Sequence, residues 1–184
     1  MAKFLKWTLF IVAGLAVVLF LAFQVLKSQT KKHSPEERLT YQEAGNELSV
    51  FYNRPYKKGR KIFGELVPYG EVWRTGANEP TTFSVKKKIE FGGKELPPGN
   101  YTLWTIPQQD SWTVIVNAKH YGWGVNMNGV ASREPDADVL QVVVPVKETM
   151  QETEQFTIAF AGSGAHPELV FKWDVVEVSV PMSW

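Results

Sequence analysis

The chain has 184 residues, of which 44% are apolar and 21% are charged. This length fits one domain of about 100–200 residues, and the composition is that of a chain with a packed core rather than a disordered one. Cysteine is absent, which excludes disulfides, thiol nucleophiles and cysteine-based metal sites. Residues 1–33 hold five lysines and no acidic residue, so the remainder carries 15 basic and 19 acidic side chains. This mildly acidic remainder predicts no nucleic-acid partner.

Residues 7–26 form an uncharged run of 20 residues, thirteen of which are Leu, Ile, Val or Phe. As a helix this run spans about 30 Å, the thickness of the hydrocarbon core of a bilayer. It is longer than the apolar region of a cleaved signal peptide, which has about 7–15 residues, and no small-x-small cleavage site closes it. We therefore predict a retained single-pass anchor in the lipid bilayer, with a cleaved signal as the alternative.

The anchor divides the chain into four predicted segments: a tail of residues 1–6, the membrane helix 7–26, a stalk 27–38 and a β domain 39–184. Two lysines precede the span and three closely follow it, which slightly favours a cytoplasmic domain by the positive-inside rule. Ser34 followed by Pro35 and two glutamates has the form of a helix start. A short helix is therefore expected in the stalk.

Beyond residue 38 the sequence is typical of short strands separated by turns. Hairpins are predicted around Ala44–Asn46, as a three-residue turn, around Gly92-Gly93, and between strands 101–106 and 112–117. The last two strands carry bulky residues on both faces, which predicts a central position in a sheet. Further strands are expected at 139–144, 156–161, 169–173 and 175–180, with residues 147–153 as a linker. This pattern predicts an all-β antiparallel sandwich, with a barrel-like arrangement as the alternative.

A long motif with a conspicuous cluster of glycines and aromatic residues occupies the first half of this region. It comprises these stretches: Arg54-Pro55, Lys58–Gly64, Leu66–Glu79, Gly92–Lys94, Leu96–Gly99, Tyr101–Pro107, Trp112–Ile115, Trp123-Gly124 and Asp138–Leu140. Over about residues 40–180 the chain resembles the uncharacterised bacterial family numbered 2911 among the domains of unknown function. The resemblance implies a protein that is exported or attached to a membrane, with its domain outside the cytoplasm. It assigns no activity and no catalytic residue.

Two arginines in glycine-rich loops are the strongest candidates for a binding site. The planar forks of Arg60 and Arg74 match carboxylate, phosphate or sugar-acid groups. Trp73, Asn78 and Glu79 lie close to Arg74 in sequence and complete the candidate pocket. The alternative is that these arginines form structural ion pairs with nearby glutamates and order their loops.

A second loop, residues 120–133, adds two further candidate ligand-binding residues, His120 and Trp123. Trp123 is the tryptophan most expected to be exposed, whereas Trp104 and Trp112 are expected in the core. The alternating acidic residues of 134–138 do not match the spacing of the EF-hand calcium loop and predict a solvated segment. The three histidines lack metal-ligand spacing. We therefore predict no metal and no cofactor.

Three classes of function remain open. The first is a non-enzymatic module that binds a small anionic or carbohydrate ligand at the outer face of a bacterial membrane. The second is a structural or protein-interaction component of the bacterial envelope, and the third is an enzyme with an unrecognised site. A cavity lined by arginine and aromatic side chains favours the first, and an exposed apolar patch favours the second.

Overall fold

A computed structural model describes residues 2–184 of the chain, which divide after residue 33 into two units. The first unit is a single helix, α1, from Ala2 to His33. Within it, the segment Lys6–His33 has the length and apolar composition to span a bilayer. The predicted tail of residues 2–6 is thus part of the helix, while Met1 lies outside the described residues.

The second unit is built from antiparallel strands, which confirms the predicted all-β class. Its strands have these bounds: β1 Glu36–Glu43, β2 Asn46–Asn53, β3 Thr81–Val85, β4 Ile89–Phe91, β5 Lys94–Leu96, β6 Gly99–Pro107, β7 Ser111–Asn117, β8 Asp138–Ala161 and β9 Glu168–Ser183. They hydrogen-bond in the order β1-β2-β3-β6-β7-β8-β9-β4-β5, with β1 and β5 as open edges. A single turn of 3₁₀ helix, Pro135–Ala137, precedes β8.

The two long strands β8 and β9 turn this order into a sandwich-like fold. The first half of β8 pairs with β7, and its second half pairs with β9. That second half faces β2 across the core, where the Tyr52 hydroxyl accepts the Ile158 N–H at 2.9 Å. The pairing between β8 and β9 is interrupted around Thr153, opposite Asp174, which has a positive φ of 57°. These irregularities bend the strands from one layer into the other.

Four local predictions are wrong. Residues from Glu36 onward form β1 rather than a stalk helix, because they pair along their length with β2. The β1–β2 turn has two residues, Ala44 and Gly45, both with positive φ, so Asn46 already belongs to the strand. Residues 147–153 continue β8 instead of forming a linker, and 168–183 is one strand rather than two. Their polar exposed faces hide the strand pattern in the sequence.

An aromatic cluster fills the centre of the core. The cluster consists of Phe63, Trp73, Trp112, Phe156 and Trp173, whose contacting rings have centroids 5.0 to 6.4 Å apart. The indoles of Trp73 and Trp173 are stacked, with centroids 5.9 Å apart and an interplanar angle of 17°. This cluster confirms the core position predicted for Trp112. It also anchors the long loop between β2 and β3, from which Phe63 and Trp73 come.

Candidate functional site

A cavity of about 490 Å³ lies between two loops of the β domain. One is the loop between β2 and β3, here called the first loop (residues 54–80), and the other is the loop between β7 and β8, the second loop (residues 118–137). Most of the wall is apolar, formed by Leu66, Val67, Val72, Val125, Val130 and Ala131. Three charged residues also line it: Glu71, Arg74 and Arg133. We call this space the two-loop cavity.

Trp73 fixes the position of its neighbour Arg74. Its backbone N–H donates to the Thr105 carbonyl at 2.7 Å, and the Thr105 N–H donates back at 2.9 Å. The indole Nε1–H donates to the Gly76 carbonyl at 3.0 Å, while the ring packs in the aromatic cluster. The first loop is thereby attached to the central strand β6, and Arg74 follows immediately where the loop leaves the strand.

The turn after Arg74 is held by buried polar groups. Thr75 has a positive φ of 56°, and Gly76 lies at 151°, where a Cβ would come within 2.9 Å of the Asn53 carbonyl. The Thr81 hydroxyl donates to the Thr75 carbonyl at 2.5 Å, and the Thr75 hydroxyl donates to the Trp73 carbonyl at 3.4 Å. A backbone in this unusual conformation persists only where its surroundings determine it.

Asn78 and Glu79 belong to this supporting network rather than to the cavity wall. Asn78 is buried, and its side-chain amide donates to Asn53 Oδ1 at 3.2 Å. Asn53 in turn donates to Glu79 Oε2 at 3.3 Å. These bonds tie the end of the first loop to β2. Asn78 and Glu79 thereby order the loop that carries Arg74.

Gly124 joins the second loop to the first. Its N–H donates to the Asn78 carbonyl at 2.9 Å. A Cβ at this position would lie 2.8 Å from Arg74 Cβ and 2.9 Å from the Asn78 carbonyl oxygen, closer than real Cβ atoms come. Only glycine lets the two backbones approach this closely. The stem of Arg74 is therefore covered by the second loop.

Arg74 is half-buried and forms no ion pair within residues 2–184. Its Nε–H is fully buried and donates to no acceptor within residues 2–184. Burial lowers the pKa of Arg74, but a guanidinium remains charged at neutral pH. An unsatisfied buried donor costs about 1–3 kcal/mol. The cavity thus holds a positive group whose hydrogen-bonding capacity is only partly used.

Arg133, on the opposite wall, has a partner. Its Nε donates to Asp138 Oδ1 at 3.0 Å and its Nη2 to Oδ2, in a fork in which both side chains are about one-tenth exposed. Asn117 and Gln141 each donate to the same carboxylate at 2.9 Å. Burial alone would raise the pKa of Asp138, but these hydrogen bonds and the positive charge of Arg133 outweigh it and hold the pKa below its ordinary value. Asp138 is thus part of a polar network and not of the solvated segment expected from the sequence.

The base of the second loop is fastened by Asn117 and Tyr121. Asn117 Oδ1 accepts the Lys119 N–H at 2.9 Å and the Tyr121 hydroxyl at 3.1 Å. The Tyr121 ring packs edge-on against Trp104, with centroids 5.3 Å apart. Trp104 is fully buried, as predicted, but beneath the second loop rather than in the aromatic cluster. A rigid base supports one wall of the two-loop cavity.

The remaining candidates lie outside this wall. The cavity lining does not include Arg60, His120 or Trp123. Arg60 is exposed and donates to two carbonyls of its own loop, at 2.9 Å for Lys57 and 2.5 Å for Tyr56. His120 is exposed and Trp123 is half-buried. Within residues 2–184, no group of three or more His, Asp or Glu side chains is placed to hold a metal ion.

Arg133 and the valines of the second loop are wall residues that sequence reasoning does not identify. The sequence points to this loop through His120 and Trp123, whereas the cavity is lined by residues 125–135. One local signal exists: Arg133 and Asp138 have opposite charges and flank Pro135 at the start of a β-branched strand. Such a pair can fix the entry of a loop into a strand.

The fold and cavity define a class: an all-β domain that follows an apolar N-terminal helix and carries an arginine-containing cavity between two loops. A family model described as "protein of unknown function (DUF2911)" matches residues 34–182, nearly the whole β domain. The chain belongs to this family, which confirms the resemblance noted in the sequence. No curated protein and no solved structure is significantly similar to it.

Proposed function

We propose that the chain is a membrane-anchored binding module that takes a small anionic ligand in the two-loop cavity. The volume of about 490 Å³ falls within the range of about 300–1,000 Å³ typical of small-ligand sites. Such sites combine mostly apolar walls with a few fixed polar groups. Trp73 and Arg74, which the sequence singled out, are the proposed ligand contacts, with Asn78 and Glu79 as supports of the loop that carries them.

The observation that carries this proposal is Arg74, which lines the cavity and whose buried Nε–H has no acceptor within residues 2–184. A guanidinium that ordered its loop would donate to carbonyls or carboxylates, as Arg60 does to Lys57 and Tyr56. Arg74 instead carries a desolvation penalty, which an anionic ligand would offset through charge-assisted hydrogen bonds. The exposed apolar side chains of Leu66 and Val130 at the same cavity support a ligand that covers them.

A thermal-shift screen of the full chain in detergent tests the proposal. The panel comprises organic carboxylates, phosphate esters, sugar acids and neutral sugars. A ligand present at about one hundred times its Kd stabilises the folded state by about 2.7 kcal/mol, which raises the Tm by about 5–10 °C for a domain of this size. We expect this shift with anions for the wild type and for Arg60→Lys, the matched control.

Arg74→Lys should lose most of the shift, because a lysine cannot reproduce the planar fork. The opposite pattern contradicts the proposal: anion-induced shifts that survive Arg74→Lys, together with a large drop in the Tm of the unliganded variant. That result would make Arg74 a structural residue. A screen in which neutral sugars act as well as anions would likewise exclude an arginine-centred site.

We further propose that the anchor holds the domain on the extracytoplasmic side of the membrane. The apolar helix supports attachment, and the sidedness follows what the sequence resemblance implies, against a margin of one lysine in the flanking charges. The chain lacks cysteine, so Met150→Cys, at a fully exposed position, can be labelled selectively. Labelling of intact bacterial cells by a membrane-impermeant maleimide is expected. Labelling only after lysis would place the domain in the cytoplasm.

A further inference from the structure

The charges around the two-loop cavity restrict the kind of anion it accepts, and this inference rests on the proposed function. Three charged residues line the cavity: Glu71, Arg74 and Arg133. Arg133 is already neutralised by its two-pronged contact with Asp138. Only Arg74 therefore has charge available for a ligand, and the carboxylate of Glu71 opposes any further negative charge.

The walls restrict the rest of the ligand. Apart from the three charged residues and Asn128, the lining is mainly apolar and includes valine and leucine side chains and Trp73. A hydroxyl-rich sugar acid would lose its hydration against such a wall without gaining equivalent hydrogen bonds. An apolar body gains affinity there in proportion to the apolar surface that it buries. The wall chemistry thus selects an apolar body over a polar one.

We infer that the ligand is a monocarboxylate with a compact apolar body, its carboxylate on Arg74 and its body among Leu66, Val72, Val125 and Val130. A carboxylate matches the guanidinium fork with a single negative charge. A phosphate monoester also matches the fork but carries a second charge at neutral pH. That second charge would have no cationic partner in the cavity lining and would be repelled by the exposed carboxylate of Glu71.

Titration calorimetry of the full chain in detergent, with phenylacetate and phenyl phosphate as probes, tests this charge count. Phenylacetate is ionised at both pH 5 and pH 8, because carboxyl groups have pKa values of about 4. Phenyl phosphate changes from a monoanion to a dianion between these values, with a second pKa of about 6. We expect the Kd of phenylacetate to stay constant within about twofold. Phenyl phosphate should bind about tenfold more weakly at pH 8 than at pH 5.

Two variants and one further probe assign the parts of the site. Arg74→Gln should weaken phenylacetate binding about tenfold or more, with circular dichroism confirming the fold. Glu71→Gln should strengthen binding of phenyl phosphate at pH 8 by about two- to fivefold and leave phenylacetate nearly unchanged. Acetate, which lacks the apolar body, should bind at least about tenfold more weakly than phenylacetate.

The outcomes separate this inference from the proposed function. If phenyl phosphate binds through Arg74 at pH 8 as tightly as phenylacetate does, the monocarboxylate inference is wrong while an anion-binding cavity stands. If acetate equals phenylacetate, the apolar body plays no part and the inference is also wrong. If neither anion binds, the monocarboxylate inference is wrong. If both bind equally to wild type and Arg74→Gln, the inference and the proposed function both fail.

Discussion

Arg74 and Arg133 line the same cavity from different loops. Arg133 has an ion-pair partner, whereas Arg74 has none within residues 2–184. Arg133 makes a two-pronged ion pair with Asp138, whose carboxylate also accepts bonds from Asn117 and Gln141. Arg74 is half-buried, and its fully buried Nε–H has no acceptor in the part of the chain that the structure describes. Both arginines follow loop backbone that is tightly fixed, so the difference lies in the partners and not in flexibility.

The difference separates a structural arginine from a binding arginine. A buried charge that has partners within the fold stabilises the fold as long as the pair stays intact, and removing one member is costly. A buried charge without such partners destabilises the free protein. A ligand that supplies the missing partner removes this destabilisation, which adds to the free energy of binding. Stability measurements on the two arginines should therefore have opposite signs.

Arg133→Met is expected to have the largest effect, a loss of about 3 kcal/mol in the free energy of unfolding at pH 7. It leaves the Asp138 carboxylate partly buried without its charge partner. Since the pKa of Asp138 is held below its ordinary value, the pair stabilises the fold above about pH 4, the unfolded-state value, and this contribution is lost as the pH falls through the folded-state pKa. Urea unfolding of the full chain in detergent, followed by tryptophan fluorescence at pH 7 and pH 3, measures both quantities.

Lys61→Met provides the matched control, because Lys61 and Glu65 form an ion pair in which both side chains are more than 60% exposed. Such pairs contribute about 0–1 kcal/mol. A loss for Arg133→Met no larger than that of Lys61→Met would show that Arg133 is not a structural residue. The same conclusion follows if its cost does not shrink between pH 7 and pH 3.

Gly124→Ala should have the next largest effect, because it addresses the contact that covers the stem of Arg74. The new methyl group would meet Arg74 Cβ and the Asn78 carbonyl, both nearer than 3 Å. Overpacking of this kind costs about 1–3 kcal/mol. The same unfolding measurement is expected to show a loss of about 2 kcal/mol, together with faster proteolysis of the second loop.

Gly122→Ala is the control in the same loop, since an added Cβ there meets no heavy atom of residues 2–184 within 4 Å. It should change the free energy of unfolding by less than about 0.5 kcal/mol. Equal losses of stability for the two variants would mean that alanine is unfavourable in this loop because of the backbone conformation, and not because of a steric clash at Gly124. The close approach of Gly124 to Arg74 would then not hold the two loops together.

The sequence predicts much of the fold because local signals and tertiary structure agree in most of the strands. The hairpin of β6 and β7 carries bulky residues on both faces, and it is central in the sheet. The prediction is wrong where the exposed face hides the strand. Residues 147–153 are polar and have the composition of a linker, but their backbone continues β8 and is fixed in part by pairing with β9.

The site is predictable only in part, because its two walls are about 50 residues apart in sequence. Arg74 is recognisable from its glycine-rich motif, but nothing local indicates that Arg60 caps its own loop while the Nε–H of Arg74 is buried. Arg133 is not recognisable in the same way, since its role depends on Asp138 and Asn117, which tertiary structure brings together. Pairings between loops are set by the fold and have no periodic signal in the sequence.

Arg74→Met is expected to have the smallest effect on stability and the sign opposite to that of Arg133→Met. Methionine has a similar length and can fill the space beneath Gly124 without a buried donor. Removing an unsatisfied buried donor is neutral or stabilising, so the free energy of unfolding should rise by about 1 kcal/mol or less. Urea unfolding without ligand measures this change, and titration with phenylacetate measures the accompanying loss of binding.

Arg60→Met is the matched control for this last comparison. Arg60 is exposed and donates to the carbonyls of Lys57 and Tyr56, so its loss should cost up to about 1 kcal/mol and leave binding intact. Both variants replace an arginine with methionine, and they should differ both in the free energy of unfolding and in phenylacetate binding. If Arg74→Met instead costs as much as Arg133→Met, the two arginines are structural alike, and the anion site must be sought elsewhere on the domain.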